Sequence, residues 1–188
     1  MSVESPQEHF EHVEHAEHAA HEGTSFMLVV SVTVAILAVI AATVGSLETM
    51  ETAATLTEQN SAALLQNRTS DQWAFFQAKS IKKNGYDIAA KQGGPNAAEF
   101  AAQSKRNDDE SKEIRAKAEE LEHQVEAKLH AAERHEHRHH LLTFAETLLH
   151  VAIAITTIAI ITRGHRWPWY FGLALAAGGV AFAGYAYL

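Results

Sequence analysis

Three long apolar blocks interrupt an otherwise polar chain of 188 residues. The first, residues 25–47, carries no charged side chain, and the second, residues 141–162, carries only Glu146 as a formal charge. The third, residues 167–188, again carries none. A helix needs about 20 apolar residues to cross the hydrocarbon core of a bilayer. The pattern therefore predicts an integral membrane protein with three transmembrane helices, one in each block.

Residues 48–140 separate the first two blocks and are rich in Ala, Glu, Gln, Lys and Leu, which favour helix. Turn signals concentrate at residues 84–96, where Asn-Gly and Gly-Gly-Pro occur. The predicted helical segments before and after this turn, which form the two arms of a hairpin, are equal in length. The sequence predicts an all-α membrane protein in which a long antiparallel, coiled-coil-like helical hairpin joins the first two spans.

The second arm of the hairpin carries an apolar seam at spacings of three and four, which places its members on one helix face. The seam consists of Ile114, Ala118, Leu121, Val125, Leu129 and Ala132. The first arm is weaker and offers Leu56, Leu64, Leu65, Phe75, Phe76 and Ile81. Such a seam is thin for one isolated hairpin. We therefore expect a homo-oligomer that associates through the hairpin and the spans.

A fold-back centred on Gly94 sets a register that the charges can test. Opposite charges then face each other at several positions, although Lys83 would face Lys105. A break at residues 84–85 would shift the register and remove these pairs. The predicted pairs include Lys79 with Asp109, Glu48 with His140, Glu51 with His137, and Glu58 with His130.

The net charge of −8 is unevenly distributed, because residues 1–24 contain six glutamates and no Lys or Arg. This acidic tail argues against nucleic acid and against anionic lipid as partners. The chain has no cysteine, so disulfides and thiolate chemistry are excluded. It also lacks a phosphate-binding loop and an HExxH motif. We expect no cofactor and no enzymatic activity.

Histidines recur every third residue in the tail, at His9, His12, His15, His18 and His21. Period three winds them around a helix, so they form no compact metal-binding face. Glutamates four residues before a histidine would support a helix when the histidine is protonated. A flexible polar leader is favoured over a pH-responsive helix, and a metal-binding tail ranks last.

Glu146 and His150 lie four residues apart and share one face of the second predicted span. Ionisable side chains are costly in a membrane and usually turn toward a partner or a water path. One interpretation is a proton relay or cation site. The alternative is a polar contact between helices, with threonine and serine hydroxyls of neighbouring spans as partners.

A histidine-rich cluster precedes the second span. His135 and His139 are four residues apart and would offer two nitrogen ligands, and Glu48 and Glu51 are candidates to complete a metal site. Two ligands are too few for a tight tetrahedral zinc site. A polar belt at the membrane surface is therefore the favoured interpretation.

Aromatic and small residues mark two packing candidates. The hairpin contains Trp73, Phe75 and Phe76, which predict an aromatic contact sealing the hairpin or an oligomer interface, rather than a binding patch. In the third block Gly172 and Gly179 belong to a stripe of small residues, which lets membrane helices approach closely.

The stretch SDQWAFFQAKSIK at residues 70–82 resembles the signature of the bacterial membrane family DUF4337. The histidine-rich leader and HHLLTFAETLLHVAIAITTIAIIT at residues 139–162 are similar to that family's pattern as well. The resemblance covers nearly the whole chain. It implies a three-span protein of the bacterial inner membrane with a helical middle, and it implies no reaction or substrate.

The sequence favours a non-enzymatic oligomeric scaffold, or an accessory subunit of a larger membrane complex. The alternative is a proton-conducting, cation-conducting or pH-sensing protein that uses Glu146 and His150. Arg163 and Arg166 lie in a short loop between the second and third spans. Because short cytoplasmic loops are enriched in Lys and Arg, this predicts a cytoplasmic N-terminus and a periplasmic hairpin. Arg134 and Arg138, just before the second span, argue for the reverse orientation.

Overall fold

The residues that the structure describes form three helices. The computed structural model describes the backbone of residues 6–162 and 165–188, and the side chains of residues 25–162 and 165–188. Helix α1 spans Pro6–Lys91, α2 spans Ala97–Ile161, and α3 spans Trp167–Tyr185. These described residues contain no β-strand. The predictions of an all-α chain and of a hairpin between two long helices are confirmed.

Helix α1 contains two segments for which the sequence predicted other structure. It begins at Pro6 and so includes most of the tail for which a flexible leader was favoured, while the tail's glutamate–histidine pairs lie outside the described side chains. It also continues through Gly85, although a single glycine inside a helix costs about 1 kcal/mol relative to alanine. The break at residues 84–85 therefore does not occur.

The reversal between α1 and α2 occupies residues 92–96. Gly93 and Gly94 have φ angles of 78° and 106°, in the left-handed region that other residues rarely adopt. The amide of Gly93 donates to the carbonyl of Ala90 at 3.2 Å and closes the end of α1. The amide of Ala97 donates to Gly94 at 3.2 Å as α2 begins.

The described structure divides into two compact units, and the first consists of Met1–Thr52 and His137–Leu188. Its core is aliphatic and draws on all three helices. Leu142 and Leu149 are fully buried at its centre. The buried members of this core are Leu37, Ala41, Val44, Leu142, Ala145, Leu149, Ala152, Ala176 and Ala186.

Helix α3 packs against α2 through small residues. Gly172, Ala176 and Gly179 are its buried positions in the middle of the helix. A Cβ atom added at Gly179 would lie 3.0 Å from the backbone oxygen of Ala145, so the two backbones are in close contact. The stripe of small residues therefore serves packing within one chain.

Within the described residues, two helices are long and apolar enough to cross a membrane, namely those containing the first and second blocks. The prediction of three spans is thus not supported. Helix α3 is 19 residues long and combines glycines and alanines with Trp167, Trp169 and Tyr170. Small residues, and the Trp and Tyr residues typical of membrane interfaces, contribute little to mean hydropathy. The mean hydropathy of α3 is therefore too low for this helix to be counted as a candidate span.

The second unit, Ala53–Glu136, is a two-helix hairpin. In the seam of α2, Ala118, Val125 and Ala132 are buried as predicted, whereas Leu129 is exposed. Toward the turn the same face continues with the buried polar residues Ser104, Asn107 and Ser111.

In the α1 arm the predicted seam is largely wrong. Leu56, Leu64 and Ile81 are exposed, and the buried positions are instead Ala62 and Thr69. The small side chains of Ala62 and Thr69 allow the two helices to approach closely. Leu56, Leu64, Phe75 and Ile81 lie on other faces of α1 because of its helical phase, whereas Leu65 and Phe76 are half-buried as members of the seam.

Candidate functional site

A group of polar side chains joins α1 to α2 within the first unit, next to its aliphatic core. His139 is its centre, with Nδ1 at 3.0 Å from Oε1 of Glu48 and 3.0 Å from the hydroxyl of Thr52. The hydroxyl of Thr143 donates to the same carboxylate oxygen of Glu48 at 3.1 Å. Four side chains from two helices therefore form one polar cluster, which we call the His139 cluster.

A second contact lies beside the His139 cluster. Glu51 is buried, and its carboxylate oxygen lies 4.0 Å from Nη1 of Arg138. The guanidinium of Arg138 also lies 5.3 Å from the ring centroid of Tyr187, close enough for a cation–π interaction. This contact brings the C-terminal end of the chain to the same polar region.

Glu146 and His150 contact each other as their spacing predicted, with Oε1 and Nε2 3.5 Å apart. The carboxylate of Glu146 is half-buried against Gly45 of α1. A Cβ atom at Gly45 would lie 2.5 Å from Oε1 of Glu146, so a larger residue here would displace the carboxylate from its present position. His150 is exposed on the outer face of α2.

Two threonine hydroxyls that were candidates to contact Glu146, those of Thr43 and Thr147, bond within their own helices. Thr43 donates to the carbonyl of Val39 at 2.8 Å, and Thr147 donates to that of Thr143 at 2.9 Å. Such bonds to the preceding turn satisfy a threonine hydroxyl inside its own helix. Sequence reasoning also missed Gly45, whose role depends on which residue of α2 faces it.

The proposed metal ligands are not assembled into a site. His139 contacts Glu48, whereas Glu51 contacts Arg138. Within residues 25–162 and 165–188, no group of three or more His, Asp or Glu side chains is arranged to hold a metal ion. His135 is half-buried in the second unit.

The aromatic cluster of the hairpin separates into inward and outward members. The indole nitrogen of Trp73 donates to Glu122 of α2 at 2.8 Å, and its ring meets Phe76 edge-on at 5.6 Å. Phe75 is exposed, with the ammonium of Lys79 at 5.5 Å from its ring centroid. Trp73 thus contributes to closing the hairpin, while Phe75 is available on its surface.

Charged pairs cross the hairpin near its turn. Lys79 pairs with Glu110, which also accepts from Nε of Arg106 at 2.9 Å. Hydrogen bonds from Lys79 and Arg106 lower the pKa of Glu110 below its ordinary value. The predicted partner of Lys79 was Asp109, so the register is displaced by one residue here.

Asp108 makes two ionic contacts in this region. Its carboxylate oxygens lie 2.5 Å from Nζ of Lys112 and 2.6 Å from Nζ of Lys83. The hydrogen bonds from Lys112 and Lys83 lower the pKa of Asp108 to about 2. The like-charge pairing predicted for Lys83 with Lys105 is replaced by this attractive contact.

A sequence model of one protein family, described as a domain of unknown function (DUF4337), matches residues 26–188. No curated protein matches the chain. No solved structure matches it either. The matched region includes all of the polar contacts described above and nearly the whole chain. The chain therefore belongs to the DUF4337 family.

Proposed function

We propose that this DUF4337 protein is an integral membrane protein of the bacterial inner membrane that acts as a non-enzymatic oligomeric scaffold or accessory subunit. One observation carries the membrane assignment. The most apolar stretch of 18 residues is only 22% buried in α1 and 28% buried in α2. The core helix of a water-soluble protein would bury most of such a stretch.

The exposed side chains in these apolar stretches of α1 and α2 are large and aliphatic. Leu28 is 65% exposed and Val39 is 68% exposed on α1, and Val151 and Ile158 are exposed on α2. An apolar surface of this extent is costly in water and favourable against lipid. Extraction of membranes with alkaline carbonate should leave the protein in the pellet, and its release would contradict the membrane assignment.

Helix α3 is proposed as a third span despite its lower hydropathy. Its outer face presents Phe171, Val180 and Phe182, and its buried face is lined by small residues. Close packing through small residues is the usual way in which membrane helices associate. Trp167 and Tyr185 are exposed near opposite ends of the helix, as expected for two membrane interfaces.

The proposed orientation places the N-terminus in the cytoplasm and the hairpin in the periplasm, since Arg163 and Arg166 occupy a short loop. The chain has no cysteine, so single cysteines can be introduced without background. A cysteine at Gly94 should react with a membrane-impermeant maleimide in intact spheroplasts, and one at Ser2 should react only after lysis. The reverse pattern would overturn the orientation.

The scaffold role is supported by the surface of the hairpin. Leu56, Leu64, Ile81 and Ile88 are exposed there although the surrounding surface is polar. A second copy of the chain, or a subunit of a larger complex, would cover them. Native mass spectrometry of the protein purified in mild detergent distinguishes a homo-oligomer from a hetero-complex, and a monomer alone would contradict the scaffold.

A second candidate function rests on the contact between Glu146 and His150. These ionisable groups lie within the apolar part of α2, where they are costly unless they serve a pathway or pack as a pair. In this proposal they conduct protons or cations, or sense pH. Flux in proteoliposomes should be lost in Glu146→Gln. Glu126→Gln is the matched control, because Glu126 also contacts a histidine but lies in the hairpin.

A further inference from the structure

A cavity of about 410 Å³ opens between α1 and the beginning of α3 in the first unit. It combines one cationic side chain with aromatic walls and one hydroxyl. The lining residues are Ser25, Phe26, Val29, Arg166, Trp169 and Tyr170. None of them takes part in the His139 cluster or in the Glu146–His150 contact.

Arg166 supplies the charge of this cavity. Its guanidinium carbon lies 5.5 Å from the ring centroid of Phe26, so the aromatic face helps to position it. Among the side chains that the structure describes, no carboxylate forms an ion pair with Arg166. The N–H donors of a guanidinium match the geometry of a phosphate group.

The aromatic walls are fixed in place. The indole of Trp169 donates to the hydroxyl of Thr33 at 3.2 Å, and its ring meets Phe26 edge-on at 6.0 Å. Tyr170 packs against Trp169 with ring centroids 4.9 Å apart. A cavity whose walls are held by two contacts between α1 and α3 needs little reorganisation to accept a ligand.

Apolar surface continues directly from the cavity. Val29 lines it, the preceding residue Leu28 is exposed, and Val32 is exposed in the following turn of α1. A ligand that fits this arrangement carries a phosphate at one end and hydrocarbon at the other. Inorganic phosphate would use the guanidinium but would gain nothing from the aromatic walls or from the aliphatic surface.

We infer that this cavity binds the headgroup of a membrane phospholipid, with the phosphate on Arg166 and an acyl chain along Val29. The inference rests on the proposed membrane location. It also identifies a lipid contact that the acidic composition of residues 1–24 argued against, because one local guanidinium can hold a phosphate beside an acidic segment.

Native mass spectrometry of the full-length protein tests this inference. The protein is released from nanodiscs of phosphatidylethanolamine and phosphatidylglycerol, and the retained lipid is counted for wild type, Arg166→Gln and Arg134→Gln. Arg134 is the matched control, since it is an exposed arginine of α2 outside the cavity. Loss of the charged hydrogen bonds should weaken retention about tenfold in Arg166→Gln alone.

Equal retention in Arg166→Gln and wild type would overturn the inference, and so would equal losses in both variants. Displacement of the lipid by excess inorganic phosphate would overturn it in favour of a simple phosphate site. Carbonate extraction of the same proteins separates the two proposals. Release of wild type from the membrane refutes the proposed function, whereas membrane retention without a lipid difference refutes the cavity alone.

Discussion

The two compact units use the same pair of helices but pack them with different side chains. In the first unit, leucines and alanines such as Leu142 and Ala145 form a dry core, and large aliphatic residues also cover the outside. In the second unit, the interface contains Ala118 and Thr69 together with polar residues such as Asn107, and charged pairs flank it. The first arrangement suits a lipid solvent and the second suits water.

The presence of exposed apolar side chains does not by itself distinguish the two units, because both units have them. The units differ in the residues that surround each exposed apolar side chain. Around Leu28 the neighbouring exposed residues are also aliphatic, whereas around Ile81 they are lysines and other polar residues. A few apolar residues on a polar surface can be covered by a protein partner, as proposed for the hairpin, whereas a continuous apolar surface supports the proposed lipid environment.

The largest expected effect comes from the core of the first unit. Leu142→Ala should reduce the free energy of unfolding by about 3 kcal/mol, because the side chain is fully buried and its loss leaves a cavity. Val39→Ala is the control, since Val39 is exposed. Thermal unfolding in detergent measures both, and comparable losses would mean that the aliphatic core does not stabilise this unit.

The second-largest loss of stability is expected where α3 packs closely against α2. Gly179→Leu should cost about 2 kcal/mol, because its Cβ atom would already lie 3.0 Å from both Ala145 O and Leu149 Cγ. Gly178→Leu is the matched control, because nothing lies within 4 Å of a Cβ atom there. If the two variants melt at the same temperature, α3 does not pack on α2 through Gly179.

A smaller effect is expected at the His139 cluster. His139→Ala removes the side chain contacted by Glu48 and Thr52 and should cost about 1 kcal/mol in detergent-solubilised protein. His137→Ala is the control, because His137 is an exposed histidine two residues away. Equal chemical denaturation midpoints for both variants would show that the cluster adds no stability.

The smallest effect is a pH dependence confined to the hairpin. The pKa of Asp108 is lowered from 3.8 to about 2, so its ionic contacts stabilise the folded state above pH 3.8. That stabilisation should be lost as the pH falls toward 2, since protonation of the carboxylate weakens the pairs with Lys112 and Lys83.

Thermal unfolding followed by circular dichroism at pH 5, 3.5 and 2 measures this loss. Asp108→Asn should show a smaller fall in melting temperature than wild type over that range. Asp109→Asn is the control and should behave as wild type, because it leaves Asp108 unchanged. A wild-type response in Asp108→Asn would assign the acid sensitivity to other carboxylates, such as Glu110, whose pKa is also lowered.

The register of the hairpin shows how far sequence reasoning reached. A fold-back at Gly94 predicted Glu58 opposite His130, and the observed partner is Lys128 at 2.9 Å. Similarly, Glu48 was placed opposite His140 and contacts His139 instead. The topology was therefore correct and the charged contacts were displaced by one to three residues. Each residue turns a helix by about 100°, so such a displacement changes which side chain faces the partner.

The sequence by itself determined the helical class, the position of the reversal and the apolar segments, because helix propensity, turn residues and hydropathy are local properties. Only the tertiary structure decided that Gly45 makes room for Glu146 and that Thr69, rather than Leu64, faces the partner helix. It also decided that Arg166 and Trp169 share a cavity with Phe26. Those outcomes depend on the rotation and separation of helices that are distant in sequence, and no local pattern specifies either quantity.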